Sequence, residues 1–578
     1  MIRRRARALA FAALAPLVAA SCGGDGEPRP VTWSDPFCAD VMPRVAAWLD
    51  SVSVAAPPPP DDRYGGTLVA AGIGEMSGGG GMNAFATNDY VARMHQQYVN
   101  LTTLVQYDED LQPRPYLAES WEESDDGASV TFRLRRDVYW HDGEPTDAHD
   151  VAFTYLRMTD PALGYPNDTF WRNWVRGAEG VEVLDDYTVR MSFRPHPEYL
   201  DTWTAVGIMP EHLLGDVPVE ELPSHPVGSL CPVGNGPFVF REHVTDQRWA
   251  FAANPAFPEA LGGRPYVDRY VYRYVPEQAQ ILNELLTGGI DFYVQVQPEQ
   301  MARVEAAADA RAISFPGRTY AFLALNARKP QLADARVRRA LAMGWNRSEF
   351  VEANLHGYGR VANGPVPPSH WGYDPDLENV LPYDPERAAA LLDEAGWTDR
   401  DGDGVRENAD GVPLAFDVAY NAGNMVRQNA AEYMQSQLRA LGVEARAVAA
   451  DYGALVGRAM NPDERDFDSM ILAWTVEFRL DDTDLFHSRS VDQPLGFAGT
   501  QNPRIDALID ALAASRTREE AIPLWREYQQ AVAEEVPYQF LYFPNRNMGL
   551  ANRVHGAEAD LRGEWLNVTE WWIDPAAR

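Results

Sequence analysis

A chain of 578 residues exceeds what one hydrophobic core usually spans, which predicts two or three domains. At 46% hydrophobic and 11% aromatic residues it is globular rather than disordered. Its 84 acids against 50 bases give a net charge of −34, a field that repels nucleic acid and anionic lipid and excludes both as partners.

In chain order, Met1 to Ser21 reads as a signal peptide. Arg3, Arg4, Arg5 and Arg7 form its charged region and Ala8 to Ala20 an apolar run too short to span a bilayer permanently. Leu17-Val18-Ala19-Ala20-Ser21-Cys22 is similar to a bacterial lipobox, with Ala19 where leucine is usual. Lipidation of Cys22 is therefore expected, with a plain signal-peptidase site as the alternative. Gly23 to Gly26 suits a flexible tether. If Cys22 carries lipid, Cys38 and Cys231 are an even pair in an oxidising compartment, either bridged or two buried thiols. Pro28 to Asp62 is an N-terminal extension with a short apolar helix around Val41 to Leu49 and a polyproline spacer at Pro57 to Pro60.

Gly65 to Ala71 reads as a strand entering a glycine loop, Gly72 to Gly81, followed by Met82-Asn83. The start imitates a dinucleotide fingerprint, but four glycines continue the loop where a helix should open, which argues against a nucleotide site. From Pro113 to Met158 the pattern is sharper. Val130, Phe132 and Leu134 alternate with Thr131, Arg133 and Arg135, a strand with one buried face, and Leu117 to Glu122 pairs with it through Ser124-Asp125-Asp126-Gly127. His141-Asp142-Gly143 turns the chain. Thr146 is the expected cap of a helix with Asp147 and Asp150 in its first turn and a core stripe of Val151, Tyr155 and Met158.

Farther on, Tyr187 to Arg194, Tyr270 to Tyr274 and Tyr320 to Asn326 read as strands. Beyond them helices and strands alternate: helix Pro385 to Gly396, strand Leu414 to Tyr420, helix Val426 to Leu441, strand Met470 to Trp474, and helix Arg518 to Glu535. Asp399, Asp401, Asp403, Glu407 and Asp410 fall at positions one, three, five, nine and twelve of a loop with Gly404 at six. Those are oxygen ligands for a structural Ca²⁺, but aspartate at twelve is short for bidentate reach and a strand follows, so a structural turn without metal is the alternative.

No G-x-S-x-G, H-E-x-x-H, C-x-x-C or Walker loop is present. His141 is the one histidine placed as a tempting base, and a turn position makes it structural. Paired carboxylates for a hydrolase cannot be recognised without their separation in space, so an enzyme is the minor reading.

Taken as written, P.LAESWE.S.DG...TF.LR..V.WHDG.P..A.DV.F.Y within 113–155 resembles the extracellular solute-binding proteins that deliver peptides, nickel and similar solutes to ABC importers. Pro232-Val233-Gly234-Asn235-Gly236-Pro237-Phe238 and Asp334 to Leu341 follow in that family's order. The resemblance covers about 64–542. It implies a two-lobed, type II periplasmic-binding-protein-like α/β fold: lobe 1 at 63–316 with an extra subdomain at about 104–208, lobe 2 at 317–536, and a return to lobe 1 at 537–578.

It also implies a monomeric lipoprotein, exported and facing the periplasm or cell exterior. Such a protein captures a peptide or amino compound in the cleft by hinge closure and then docks on a membrane permease, with no cofactor required. Glu477 stands three places after Trp474, where peptide-binding members carry an aspartate for the α-ammonium. Arg427, near Asn421, stands where dipeptide-type members carry an arginine for the carboxylate. Trp474, Phe478, Tyr320, Met82 and Asn83 complete the expected cleft, with core packing the alternative for Trp474 and Tyr320. Oligosaccharide, nickel or haem on the same fold, a chaperone-like binder and a hydrolase are the alternatives.

Overall fold

The computed structural model describes residues 35–56, 61–74, 76, 80–86, 89–164, 175, 180–476 and 478–578. The signal peptide, Cys22 and its tether, Pro57 to Pro60 and Glu477 lie outside the described residues.

Buried side chains fall into separate cores. One runs from Cys38 to Ala310 and resumes from Met548 to Ile573. Two others share 320–543. The chain is therefore two-lobed, and both crossings are narrow. A single twelve-stranded sheet nevertheless runs through both lobes, because the 14-residue strand Tyr538–Ala551 belongs to each. Its first half pairs with Thr319–Leu325 and Gly359–Val361 in lobe 2, its second half with Ala310–Pro316 and Phe292–Tyr293 in lobe 1. The chain thus returns to lobe 1 near Pro544, within a strand, and not at Pro537 as the sequence suggests. A continuous apolar strand gives no local sign of changing partners.

In lobe 1, Thr67–Gly72 lies parallel to Arg269–Tyr274 and Phe292–Tyr293. In lobe 2, Ala415–Asn421 lies parallel to Glu444–Ala450 and Ser469–Thr475. Mixed α/β lobes of this kind open their cleft at the carboxyl ends of the parallel strands. The subdomain is a four-stranded antiparallel sheet, Ala118–Glu123, Ser129–Leu134, Thr188–Ser192 and Val181–Asp185, carrying the helix Ala148–Met158. That helix is capped by Asp147, one residue after the expected Thr146. The Asp147 side chain accepts from His149 and Asp150 backbone N–H groups while Asp150 reaches back to Asp147 N, a reciprocal box unavailable from Thr146.

The N-terminal helix is longer than expected, Pro36–Ala55, because Asp35 caps it and Pro36 is preset for the first turn. Cys38, Val41, Met42, Val45 and Leu49 form its buried stripe. A disulfide joins Cys38 to Cys231, and Arg44 pairs with Asp142 of the His141-Asp142-Gly143 turn, so the extension is fixed to lobe 1. Gly143 has φ +101°, and a Cβ there would sit 3.1 Å from the Trp48 ring, which reserves the turn for glycine.

Candidate functional site

Between the lobes, a cavity is walled on one side by Gln97, Tyr107 and Asp201 of lobe 1 and on the other by Phe478 of lobe 2, with Arg318 at the crossing. Tyr107 ends the strand Val105–Tyr107, and Asp201 sits in the short turn of helix Tyr199–Trp203. Phe478 follows the strand Ser469–Thr475. Its ring meets Tyr107 edge-on at 4.8 Å and lies 4.4 Å under the Arg318 guanidinium. Arg318 donates to Leu561 O of lobe 1 at 3.1 Å and to Val476 O of lobe 2 at 2.9 Å. The wall is thus aromatic and polar, with the Phe478 ring held between Tyr107 and Arg318.

Two buried groups fix this wall. Asp201 accepts the Tyr107 hydroxyl at 3.2 Å and the Arg479 backbone N–H at 2.9 Å. Burial, then the Asp201 charge, pushes the Tyr107 phenol well above its ordinary value, so it stays a donor. His370 holds Phe478 O at 2.7 Å through Nε2 and accepts from Gly372 N at Nδ1, which sets its tautomer with the proton on Nε2. Burial lowers its pKa to about 4, so it is neutral at physiological pH. None of Arg318, Tyr107, Asp201 or His370 stands out in the sequence. No motif marks them, and the His370–Phe478 and Asp201–Arg479 bonds span 108 and 278 residues.

Of the residues singled out from sequence, Arg427 and Asn421 are brought together. The guanidinium donates to Asn421 Oδ1 at 2.8 Å, at the carboxyl end of Ala415–Asn421 and the start of helix Met425–Arg439, which Asn424 caps. Burial lowers the pKa of Arg427, the mark of a guanidinium taken partly out of water.

Phe478 lines the cleft, but Tyr320 does not. It is 1% exposed and packs on Phe322 and Phe540. Trp474 is half-buried and stacks on Phe322 at 5.9 Å. Tyr320 and Trp474 are direct partners on neighbouring antiparallel strands, so both side chains leave the sheet on the same face, and that face meets a lobe 2 core. Met82 and Asn83 are also interior. Met82 N donates to Gly228 O at 2.7 Å and the Asn83 amide to Leu222 O at 2.7 Å, because the Gly80-Gly81 turn folds them back into lobe 1.

The acidic loop is assembled only in part. Asp399, Asp401 and Asp403 place carboxylate oxygens within 4.8 Å of one another, all exposed, the sole such group among the described residues. Asp399 and Asp403 accept loop N–H groups at 2.7 and 2.8 Å, and Glu407 turns away to accept Arg400 N. Asp410 lies outside the group, its loop held by Asn408. The five-carboxylate shell expected from spacing is therefore three, since isolated bridges from Glu407 to Thr398 and to Pro413 take the chain away after position nine. His141 is fully buried, its Nε2 3.0 Å from Gly236 O, and burial lowers its pKa to about 4, so it is a structural histidine. No helix among the described residues is long and apolar enough to cross a membrane.

Residues 112–493 match the family described as bacterial extracellular solute-binding proteins, family 5 Middle. The oligopeptide-binding protein AppA of Bacillus subtilis is 29% identical over 515 residues, 88% of this chain and 92% of that protein. Its structure in complex with a nonapeptide superposes with a TM-score of 0.77 over 88% of this chain and 99% of that one. A probable di/tripeptide-binding protein 5 of Pseudomonas aeruginosa is 27% identical over 482 residues, 77% of this chain and 84% of that protein. NikZ of Campylobacter jejuni, solved with Ni(L-His), shares the fold at 24% identity and TM-score 0.75, over 89% of this chain and all of that one.

Proposed function

Because the chain belongs to the bacterial extracellular solute-binding proteins, family 5, we propose that it captures a peptide between its lobes by hinge closure and delivers it to an ABC permease. The observation that carries this is the aromatic, polar interlobe cavity, in a chain similar over 88% of its length to a protein solved with a nonapeptide. Arg427, held by Asn421, takes the ligand carboxylate, a group a guanidinium can grip bidentately. Glu477 pairs with its ammonium, since a carboxylate enclosed by closure is strongly destabilised without a cation. Phe478 supplies a flat face. Micromolar binding corresponds to about −8 kcal/mol.

In this reading the protein is exported, anchored through lipid on Cys22, monomeric, not an enzyme and independent of any cofactor. The Asp399 loop is a structural turn whose three carboxylates would take Ca²⁺. A melt in millimolar Ca²⁺ against chelator tests that occupancy, and no shift rejects it.

The function is tested by a thermal-shift screen of protein lacking residues 1–22 against nonapeptides, tripeptides, oligosaccharides and nickel. A ligand at 100 times its dissociation constant adds about 2.7 kcal/mol of stability. Peptides are expected to raise the melt, and Glu477→Gln or Arg427→Ala to remove that shift. A response to sugar or nickel alone rejects the peptide reading and leaves the fold intact.

A further inference from the structure

Lobe 1 reaches lobe 2 at a second place, through the subdomain turn that carries Glu198 and Asp201. Glu198 is an acid only 7% exposed, and its cation is Arg518 of lobe 2, 320 residues away, which donates through Nε. Arg518 also lies 5.5 Å over the Trp371 ring. Three residues on, Asp201 accepts the Arg479 backbone N–H of lobe 2. Both acceptors come from the subdomain and both donors from lobe 2.

Arg518 is the first residue of helix Arg518–Glu535, behind the Thr517 cap. A cation in a first turn opposes the helix dipole, and alanine has the higher helix propensity, so helix stability does not account for an arginine there. Pairing with Glu198 does. Burial raises the Glu198 pKa and Arg518 pulls it back, the signature of an acid taken out of water and neutralised by a partner. When the lobes part, both groups return to water and the pairing is lost.

We propose that Glu198 with Arg518, and Asp201 with the Arg479 N–H, form a latch between subdomain and lobe 2. The latch sets the fraction of closed protein, and hence the apparent affinity. Closure is then governed partly by contacts between the lobes themselves. Apparent affinity scales with the closed, binding-competent fraction, so weakening the Glu198–Arg518 pair, which lies outside the interlobe cavity, lowers affinity without touching the ligand. The affinity claim rests on the peptide-binding reading, whereas the latch itself does not.

The test uses Arg518→Ala, Glu198→Gln and the double variant of the soluble protein, read by X-ray scattering without ligand and by titration with a mixed-sequence nonapeptide pool. Arg518→Ala strands Glu198 unpaired in the closed form and is expected to raise the radius of gyration and weaken binding by about tenfold. The double variant, with no charge left to strand, is expected to recover part of both losses while staying more open than wild type, with the melting temperature of all three near wild type. An unchanged radius in Arg518→Ala overturns the latch, and so does a double variant as closed as wild type. If the wild type ignores the pool, the peptide reading fails while the radius still judges the latch.

Discussion

Asp482 offers the sharpest test of how lobe 2 is built. Its side chain is buried, with one oxygen accepting the Tyr528 hydroxyl at 2.7 Å and Asp481 as its neighbouring charge. Burial is the largest influence, and it raises the pKa from 3.8 to about 7. Between those values the folded protein keeps a proton that the unfolded chain has released. Asp482 therefore costs nothing below pH 3.8, destabilises progressively as pH rises to about 7, and costs a constant amount above it, at most about 4 kcal/mol.

Asp482→Asn keeps the shape and the acceptor for Tyr528 but cannot ionise. Its amide N–H groups add a penalty of about 1–3 kcal/mol that does not vary with pH. His95, His141 and His370, lowered to about 4 by burial, oppose folding as pH falls from 6.5 to 4, but equally in both proteins. Urea melts at pH 4, 5.5, 7 and 8 thus isolate Asp482. The stability of the variant relative to wild type should improve by up to about 4 kcal/mol from pH 4 to pH 8. A difference flat across that range would refute the argument, because a carboxylate that ionises at its ordinary value shows no such window.

Replacing Cys38 and Cys231 by serine opens a loop of sequence separation 193, worth about 5 kcal/mol in the chain-entropy limit. The loss in a urea melt should be smaller, since the helix Pro36–Ala55 can detach locally, and an unchanged midpoint would count against the bridge. Gly317→Val places a Cβ 2.9 Å from Pro544 O, a backbone atom that cannot swing aside. It should cost about 1–3 kcal/mol and alter the radius of gyration, and a variant matching wild type in both would show that the crossing between lobes tolerates a side chain there.

Much of this molecule is visible locally. The alternation of Val130, Phe132 and Leu134 gives a strand because one face is buried, and all three are buried. The pairing of Arg427 with Asn421 was within reach because six residues at a strand-to-helix junction keep them close. What escaped is set by distance along the chain or by the choice between equivalent faces. Tyr320 and Trp474 are aromatic residues on strands, and nothing in a period of two says which face meets a core and which a cleft. Asp201 and His370 act on a loop more than a hundred residues away, so the role of His370 exists only once lobe 2 has folded and that of Asp201 only once the lobes have met. Thr146 and Asp147 are both good caps, and the Asp150 side chain, not propensity, decides between them.

The two crossings between lobes share a chemistry that favours bending at one place. Gly317 has no side chain and Pro544 no N–H, and they lie against each other where the strand Tyr538–Ala551 changes partners. On either side, paired strands resist bending through their ladders, so rotation of one lobe on the other concentrates between Pro316 and Thr319 and around Pro544. Arg318 is inside that short span. Its guanidinium is bonded to Leu561 of lobe 1 and Val476 of lobe 2, and it covers the Phe478 ring. Any rotation that separates the lobes must break one of those bonds and uncover Phe478. The residue that covers Phe478 is thereby coupled to the bend itself, and opening the hinge and dismantling that cavity wall are one event.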